Sequence, residues 1–181
     1  MGREYPPRGR RARQPPAWRA LRGRPAAVIR SPVSGLIHGT AVAFETGRGL
    51  AGVLITGRPG AGKSELALEL IAMGAWLVSD DQTGVQARDG SVILSAPPRL
   101  RGLVEMRGVG LLRAETVEAA PLVVLVDLDS PETVRLPEPH WHFLEGCRVP
   151  VLRKCESRAF AAAIRQYVRF GIVQEIEDRP Q

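Results

Sequence analysis

A glycine-rich segment that ends in lysine and serine carries the most specific chemistry in this sequence. Residues 57–64 read Gly-Arg-Pro-Gly-Ala-Gly-Lys-Ser, a complete Gly-x-x-x-x-Gly-Lys-Ser/Thr motif. An apolar run ending at Thr56 precedes it and apolar residues at helical spacing follow it, the strand–loop–helix setting of a phosphate-binding loop. Glycines let successive backbone N–H groups converge on a phosphate, and the N-terminus of the following helix adds a favourable partial charge. The segment therefore predicts binding of a nucleoside triphosphate.

Every position of this loop is a predicted nucleotide contact. The residues are Gly57, Arg58, Pro59, Gly60, Ala61, Gly62, Lys63 and Ser64. In such loops the lysine ammonium reaches the β- and γ-phosphates, so Lys63 is a predicted catalytic residue. The serine hydroxyl binds the Mg²⁺ ion that accompanies the nucleotide, so Ser64 is a predicted metal ligand. ATP and Mg²⁺ are the expected cofactors.

A phosphate-binding loop also needs a carboxylate, and two predicted strand ends offer one. Leu122–Val126 is an apolar run followed by Asp127, the form of a Walker B strand, with Asp129 just beyond. A second apolar run ends in the pair Asp80-Asp81. Two adjacent carboxylates repel each other when both are charged, which leaves one able to accept a proton from a hydroxyl. Spacing favours Asp127 and an ATPase, whereas the paired acids favour a kinase, and these residues alone leave both open.

The elements that would position these residues alternate between strands and helices. Strands are predicted over Leu36–Phe44, Gly52–Thr56, Ala75–Ser79, Thr83–Ala87, Ser91–Leu94, Leu122–Val126 and Val149–Leu152. Helices are predicted over Glu65–Met73, which Gly74 ends, and over Arg158–Phe170. Asp89-Gly90 predicts a type I′ hairpin turn. This order indicates an α/β fold with a mixed sheet.

Length and composition exclude several protein classes. With 181 residues and 44% hydrophobic residues, the chain fits one domain with a core of its own. Its apolar runs are all shorter than the ~18 residues that a membrane span needs, so no membrane partner is expected. Two cysteines, Cys147 and Cys155, are too few for a disulfide scaffold and favour a cytoplasmic protein. Both are expected to pack as small apolar groups.

The positive charge of the chain is concentrated at its N-terminal end. The net charge is +6, and residues 1–30 hold nine arginines and a single acid, Glu4, for a net of +8. The remaining residues are therefore near −2, which argues against a nucleic-acid partner for the folded part. Residues 1–30 are also rich in proline, so we expect a disordered tail there and a catalytic domain over 31–181.

Four blocks of residues together resemble the catalytic domain of HPr kinase/phosphorylase. They are the loop and helix over 57–74, Leu77-Val78-Ser79-Asp80-Asp81, Leu36-Ile37-His38-Gly39, and Glu105-Met106-Arg107-Gly108-Val109-Gly110, which is similar to the family's Glu-Ile-Arg-Gly-Leu-Gly. The resemblance covers about residues 33–113. It implies a P-loop kinase domain similar to the catalytic core of HPr kinase and phosphoenolpyruvate carboxykinase. It also implies a short form without the family's N-terminal domain, and a hexamer.

The resemblance implies an ATP- and Mg²⁺-dependent sensor kinase that phosphorylates a serine of the phosphocarrier protein HPr. Such enzymes regulate carbohydrate metabolism through the phosphotransferase system, and many also remove the phosphate by phosphorolysis. The residues that match the family's site are Asp81 as proton acceptor, its neighbour Asp80, His38, Lys63 and Arg107 as further catalytic residues, and Ser64 and Glu105 as metal ligands.

Two other functions and one other site are compatible with the residues. A P-loop kinase of a small molecule would use Asp127 as its Walker B acid. A nucleotide-binding module without turnover would use the arginine-rich tail as an electrostatic arm. His140 and His142 would lie on one side of a strand and could bind a metal, but an exposed loop after Pro137 and Pro139 is the expected structure there.

Overall fold

The structure, a computed structural model, describes residues 35–172. The predicted tail over 1–30 lies outside the described residues. Ten strands, two α-helices and a short 3₁₀ turn at Pro98–Leu100 follow one another within this range. Neither of these two helices is long and apolar enough to cross a membrane.

The elements follow the order that the sequence predicts. The strands are β1 (Gly35–Thr46), β2 (Gly49–Thr56), β3 (Trp76–Ser79), β4 (Gln82–Arg88), β5 (Ser91–Ser95), β6 (Leu103–Met106), β7 (Gly110–Arg113), β8 (Ala119–Pro131), β9 (His140–Leu144) and β10 (Cys147–Lys154). The helices are α1 (Lys63–Ala72) and α2 (Phe160–Phe170). All seven predicted strands and both predicted helices are confirmed, with ends that differ by a few residues. The Asp89-Gly90 turn has positive φ at both positions, as a type I′ turn requires.

Eight strands of the described range form one mixed sheet, so the predicted α/β fold with a mixed sheet is confirmed. Strand β2 lies between β1, to which it is antiparallel, and β8, to which it is parallel. Strand β10 continues the sheet parallel to β8, and β9 lies antiparallel at its edge. The β4–β5 hairpin connects the start of β1 to the start of β8. Strands β6 and β7 form a separate two-stranded sheet.

Both faces of the central strands are buried, which explains their continuous apolar sequences. In β1, Val42 and Phe44 belong to a core cluster that includes Leu70 of α1 and Ile164 of α2. The alternate positions Ala41 and Ala43 belong to a second cluster, formed with the β4–β5 hairpin. Because side chains alternate along a strand, one apolar run fills both clusters. The central strands thereby pack against the helices on one face and against the β4–β5 hairpin on the other.

Two expectations for the C-terminal part are wrong. Residues 140–144 form strand β9 rather than an exposed loop, because their backbone pairs antiparallel with β10. Cys155 is exposed, since it follows the last residue of β10 and lies beyond the sheet. Cys147 is half-buried and packs against the second core cluster, as expected.

The helix that follows the phosphate-binding loop depends on the first core cluster. Leu70 of α1 is completely buried there. Replacing it with alanine should lower the free energy of unfolding by about 2–5 kcal/mol, because the change removes apolar contacts and leaves a cavity. Leu136→Ala is the matched control, since Leu136 is 76% exposed. Urea denaturation measures both variants, and equal effects would contradict the placement of the core.

Candidate functional site

The phosphate-binding loop connects β2 to α1, and its lysine points back into the loop. Lys63 Nζ donates to the carbonyl oxygens of Gly57, at 2.8 Å, and Arg58, at 3.2 Å. Gly62, which precedes the helix, has a φ of 95°, a left-handed conformation that glycine adopts without steric cost. The ammonium group is thus held where a bound phosphate can replace its backbone partners.

His38 of β1 links the loop lysine to Asp81. His38 Nε2 lies 3.0 Å from Lys63 Nζ, and His38 Nδ1 lies 3.2 Å from Asp81 Oδ1. An ammonium group can only donate and a carboxylate can only accept. The imidazole therefore accepts the Lys63 N–H at Nε2, and its Nδ1 faces the Asp81 carboxylate at ion-pair distance. Three predicted catalytic residues thus lie in one chain of polar contacts.

Asp81 lies at the centre of a tight turn between β3 and β4. The Gln82 N–H donates to the Asp80 carbonyl across it, and Asp81 has a φ of 65°. The Gly39 N–H donates to the Asp81 carbonyl, which holds the turn against β1. Such backbone conformations cost about 1–3 kcal/mol and concentrate at active sites. The Asp81 side chain is 66% exposed and lines a cavity of about 440 Å³ with Pro97, Pro98 and Arg99 as neighbours.

Asp80 is buried and faces the other way. Its Oδ1 accepts hydrogen bonds from the Thr40 hydroxyl, at 2.7 Å, and from the Ser64 hydroxyl, at 2.9 Å. Its Oδ2 accepts the backbone N–H of Glu105 at 2.9 Å. The two adjacent aspartates therefore have different environments: Asp80 binds the loop serine and the β6 strand, whereas Asp81 binds the histidine and faces solvent.

The oxygen groups around Asp80 fit a Mg²⁺ ion bound together with a nucleotide. Of the predicted metal ligands, Ser64 donates its hydroxyl to the Asp80 carboxylate, whereas Glu105 donates its backbone N–H and keeps its side chain exposed. Mg²⁺ prefers oxygen ligands and usually takes one or two carboxylates, with water and phosphate completing its shell. Residues 35–172 contain no cluster of three or more His, Cys, Asp or Glu side chains that could hold a metal by themselves. These donors suit a Mg²⁺ ion whose remaining ligands come from the nucleotide phosphates and water.

Arg107 lies in the turn between β6 and β7, directly above the loop. Its Nη2 atom is 3.9 Å from the position that a Cβ atom would occupy on Gly60. The structure thus brings all the predicted catalytic and metal-binding residues to one place. A separate cavity of about 510 Å³ lies between α2, β9 and β10 and is lined by none of them.

Asp127, the alternative Walker B acid, has other partners. Its Oδ1 accepts the Asp129 N–H at 2.9 Å and its Oδ2 accepts the Ser130 hydroxyl at 2.6 Å. Both contacts lie within the last residues of β8, where the pairing with β10 is irregular. Asp80, rather than Asp127, is the acid that contacts the loop serine.

Sequence reasoning missed two residues that contact this site. Thr40 donates to Asp80 and is completely buried, and a polar residue within the apolar run of β1 was the available indication. Asp129 accepts the backbone N–H of Arg58, a contact between residues 71 positions apart that no local pattern predicts.

The histidines of β9 lie outside this site. His140 Nε2 is 2.9 Å from Glu132 Oε2, and His142 is exposed. The Val134 N–H and the His140 ring both stabilise the charged carboxylate, which lowers the pKa of Glu132. This pair joins the residue that follows β8 to the first residue of β9, which is a structural role.

Comparisons with known proteins agree with this geometry. Residues 35–120 match the family described as HPr Serine kinase C-terminal domain. An HPr kinase/phosphorylase of Clostridium botulinum is 48% identical over 61 residues, which are 34% of this chain and 20% of that protein. One from Limosilactobacillus reuteri is 48% identical over 67 residues, 36% of this chain and 21% of that protein. The matched segments thus span about a fifth of the length of these curated relatives.

One solved structure extends the similarity beyond that segment. It is the Hpr(Ser) kinase/phosphatase from Coxiella burnetii, which aligns with a TM-score of 0.63 and 26% sequence identity. The alignment covers 74% of this chain and 93% of the other. The resemblance that the four sequence blocks indicate is therefore confirmed, in sequence over the region around the loop and in fold over most of the described range.

Proposed function

We propose, from the premise that residues 35–120 belong to the HPr serine kinase C-terminal domain family, that this protein is an ATP-dependent protein-serine kinase. Its acceptor would be a serine of an HPr-like phosphocarrier protein. The observation that carries the proposal is the chain from Lys63 through His38 to Asp81, with separations of 3.0 and 3.2 Å. This chain joins a phosphate-binding group to a proton acceptor within one site.

Lys63 supplies the positive charge for the transferred phosphoryl group. In the free site its ammonium group donates to two carbonyl oxygens and to His38. A γ-phosphate is a stronger, charged acceptor and would take over these bonds. Phosphoryl transfer depends mainly on positioning and on neutralising charge, and a lysine held in the loop provides both.

Asp81 serves as the base for the incoming serine. The serine oxygen attacks the γ-phosphorus, its proton passes to an Asp81 carboxylate oxygen, and the bond from phosphorus to the ADP oxygen breaks. Asp81 suits this role because it is exposed and lines a cavity on one side, while His38 Nδ1 lies 3.2 Å from its carboxylate on the other. Transfer of the phosphoryl group from the serine to inorganic phosphate would return the proton from Asp81 to the serine oxygen.

Ser64 and Glu105 would hold Mg²⁺, and Asp80 would orient both of them. When bound, the ion supplies charge neutralisation at the phosphate oxygens. The Asp80 carboxylate is already positioned for this by Thr40, which donates to it from β1. Arg107, which overhangs Gly60, would add a positive charge on the open side of the loop.

The direct test is transfer of label from ATP to a carrier. We expect label from [γ-³²P]ATP to appear, in the presence of Mg²⁺, on a purified HPr-like protein and to be absent from its serine-to-alanine variant. Addition of inorganic phosphate to the labelled carrier tests phosphorolysis in the same assay. Release of labelled inorganic phosphate without a labelled protein would instead support an ATPase.

Mg²⁺ binding separates this account from the Walker B alternative. Glu105→Gln should weaken the affinity for Mg²⁺-ATP about 10- to 100-fold, because it removes a carboxylate at the ion. Asp127→Asn, the matched control, should leave the affinity nearly unchanged, since Asp127 does not contact Ser64 and asparagine keeps an oxygen that accepts the Asp129 N–H. Isothermal titration calorimetry measures both, and the reverse order of effects would favour Asp127 as the metal acid.

A further inference from the structure

Asp129 is outside the residues assigned to phosphoryl transfer, yet its carboxylate contacts the first turn of the phosphate-binding loop. The backbone N–H of Arg58 donates to both of its oxygens, with distances of 3.1 Å to Oδ1 and 2.9 Å to Oδ2. The next residue, Pro59, has no N–H. Arg58 therefore provides the last backbone donor before Gly60, and Asp129 accepts it.

Asp129 and Lys63 hold opposite ends of the same peptide group. A peptide unit joins the carbonyl of one residue to the N–H of the next, so the Arg58 N–H and the Gly57 carbonyl belong together. Lys63 Nζ donates to that carbonyl at 2.8 Å. A carboxylate at the N–H and an ammonium group at the oxygen polarise the peptide in the same sense, so each hydrogen bond strengthens the other.

The end of β8 is built to present Asp129 at this point. Asp127 accepts the Asp129 N–H at 2.9 Å and the Ser130 hydroxyl at 2.6 Å, which fixes the backbone of the last residues of β8. The strand lies close to the loop, since a Cβ atom on Gly57 would be only 3.1 Å from Leu128 Cβ. The parallel pairing of β2 with β8 places both ends at one edge of the sheet.

We propose that Asp129 is a positioning residue for nucleotide binding, acting through the Gly57–Arg58 peptide group. Its carboxylate sets the orientation of that peptide and so determines where the loop begins. Asp127 has the supporting role of holding the Asp129 backbone at the end of β8. The inference rests on the proposed function only in that the loop binds ATP.

Replacement of Asp129 tests this role through ATP affinity and turnover. Asp129→Ala should raise the Kd and KM for ATP about five- to tenfold, the effect of losing one hydrogen bond to an exposed side chain, with kcat within about twofold. Asp129→Asn keeps an oxygen that accepts the same N–H and should restore most of the affinity. Asp89→Ala is the matched control, since it removes an exposed aspartate of the β4–β5 turn, away from the loop, and should change KM little.

The outcomes separate this inference from the proposed function. An unchanged KM in Asp129→Ala, with normal ATP binding by the wild-type chain, would overturn the inference alone. A loss of kcat and of thermal stability that Asp129→Asn fails to restore would also overturn it, because the residue would then act as a general structural support. Absence of ATP binding by the wild-type chain would contradict both the inference and the proposed function.

Discussion

Replacing Asp81 with asparagine should lower the rate of phosphotransfer about 10²- to 10⁴-fold, the range expected for loss of a general base. The amide cannot take the proton of the acceptor serine, although it fills the same space. Asparagine also tolerates positive φ, so the turn with its φ of 65° should persist. Affinity for ATP should stay close to the wild-type value, because Asp81 lies on the acceptor side of His38. Single-turnover transfer and calorimetry measure the two quantities separately.

Asp89→Asn is the matched control for this prediction. Asp89 is another exposed aspartate with positive φ, at 50°, but it lies in the β4–β5 turn. Its replacement should leave transfer unchanged. A near wild-type rate in Asp81→Asn, or an equal loss in both variants, would show that Asp81 is not the base.

Replacing Lys63 with methionine should affect both binding and chemistry. The side chain keeps most of its length and loses the charge that bonds to Gly57, Arg58 and His38. Removing a charged donor of this kind from a phosphoryl-transfer site should lower kcat about 10²- to 10³-fold, and ATP affinity should fall as well. The turnover assay and calorimetry with ATP measure these changes.

The chain offers a close control, because Lys154 is its only other lysine. Lys154 lies at the end of β10, where its carbonyl accepts the Glu132 N–H and its side chain is outside the site. Lys154→Met should therefore retain both affinity and turnover. If Lys63→Met bound and used ATP normally, the loop would not be the nucleotide site.

Local features of this protein could be predicted from its sequence. The phosphate-binding loop, the helix after it and the β4–β5 hairpin each follow from residues that are adjacent in the chain. The apolar run at Leu122–Val126 predicted a strand buried on both faces, and β8 is that strand. These elements depend on periodicity and on glycine positions, which a single sequence displays.

The different partners of Asp80 and Asp81 could not be predicted, because those partners are distant in the sequence. Thr40 meets Asp80 across 40 positions, and His38 meets Asp81 only because β1 pairs with β4 and the intervening turn reverses the chain. Sequence spacing alone favoured Asp127 as the metal acid. In the structure its carboxylate instead bonds to Asp129 and Ser130 at the end of β8.

Strand β9 shows the same limitation at the edge of the sheet. Its sequence follows two prolines and exposes Trp141 and Phe143, so no buried face predicts a strand there. Backbone pairing with β10 forms the strand, and the Arg148 guanidinium lies 3.8 Å from the centre of the Trp141 ring across that pair. Contacts with a neighbouring strand thus outweigh the local pattern.

The central claim is that Lys63 and Asp81 act on opposite sides of one phosphoryl group as it passes to an alcohol. A crystal structure with Mg²⁺, a non-hydrolysable ATP analogue and a serine-containing acceptor measures this directly. We expect Lys63 Nζ on the γ-phosphate, and an Asp81 carboxylate oxygen about 2.6–3.2 Å from the acceptor hydroxyl. A complex in which Asp127 approaches the ion, while Asp80 and Asp81 both point away from the nucleotide, would contradict the claim.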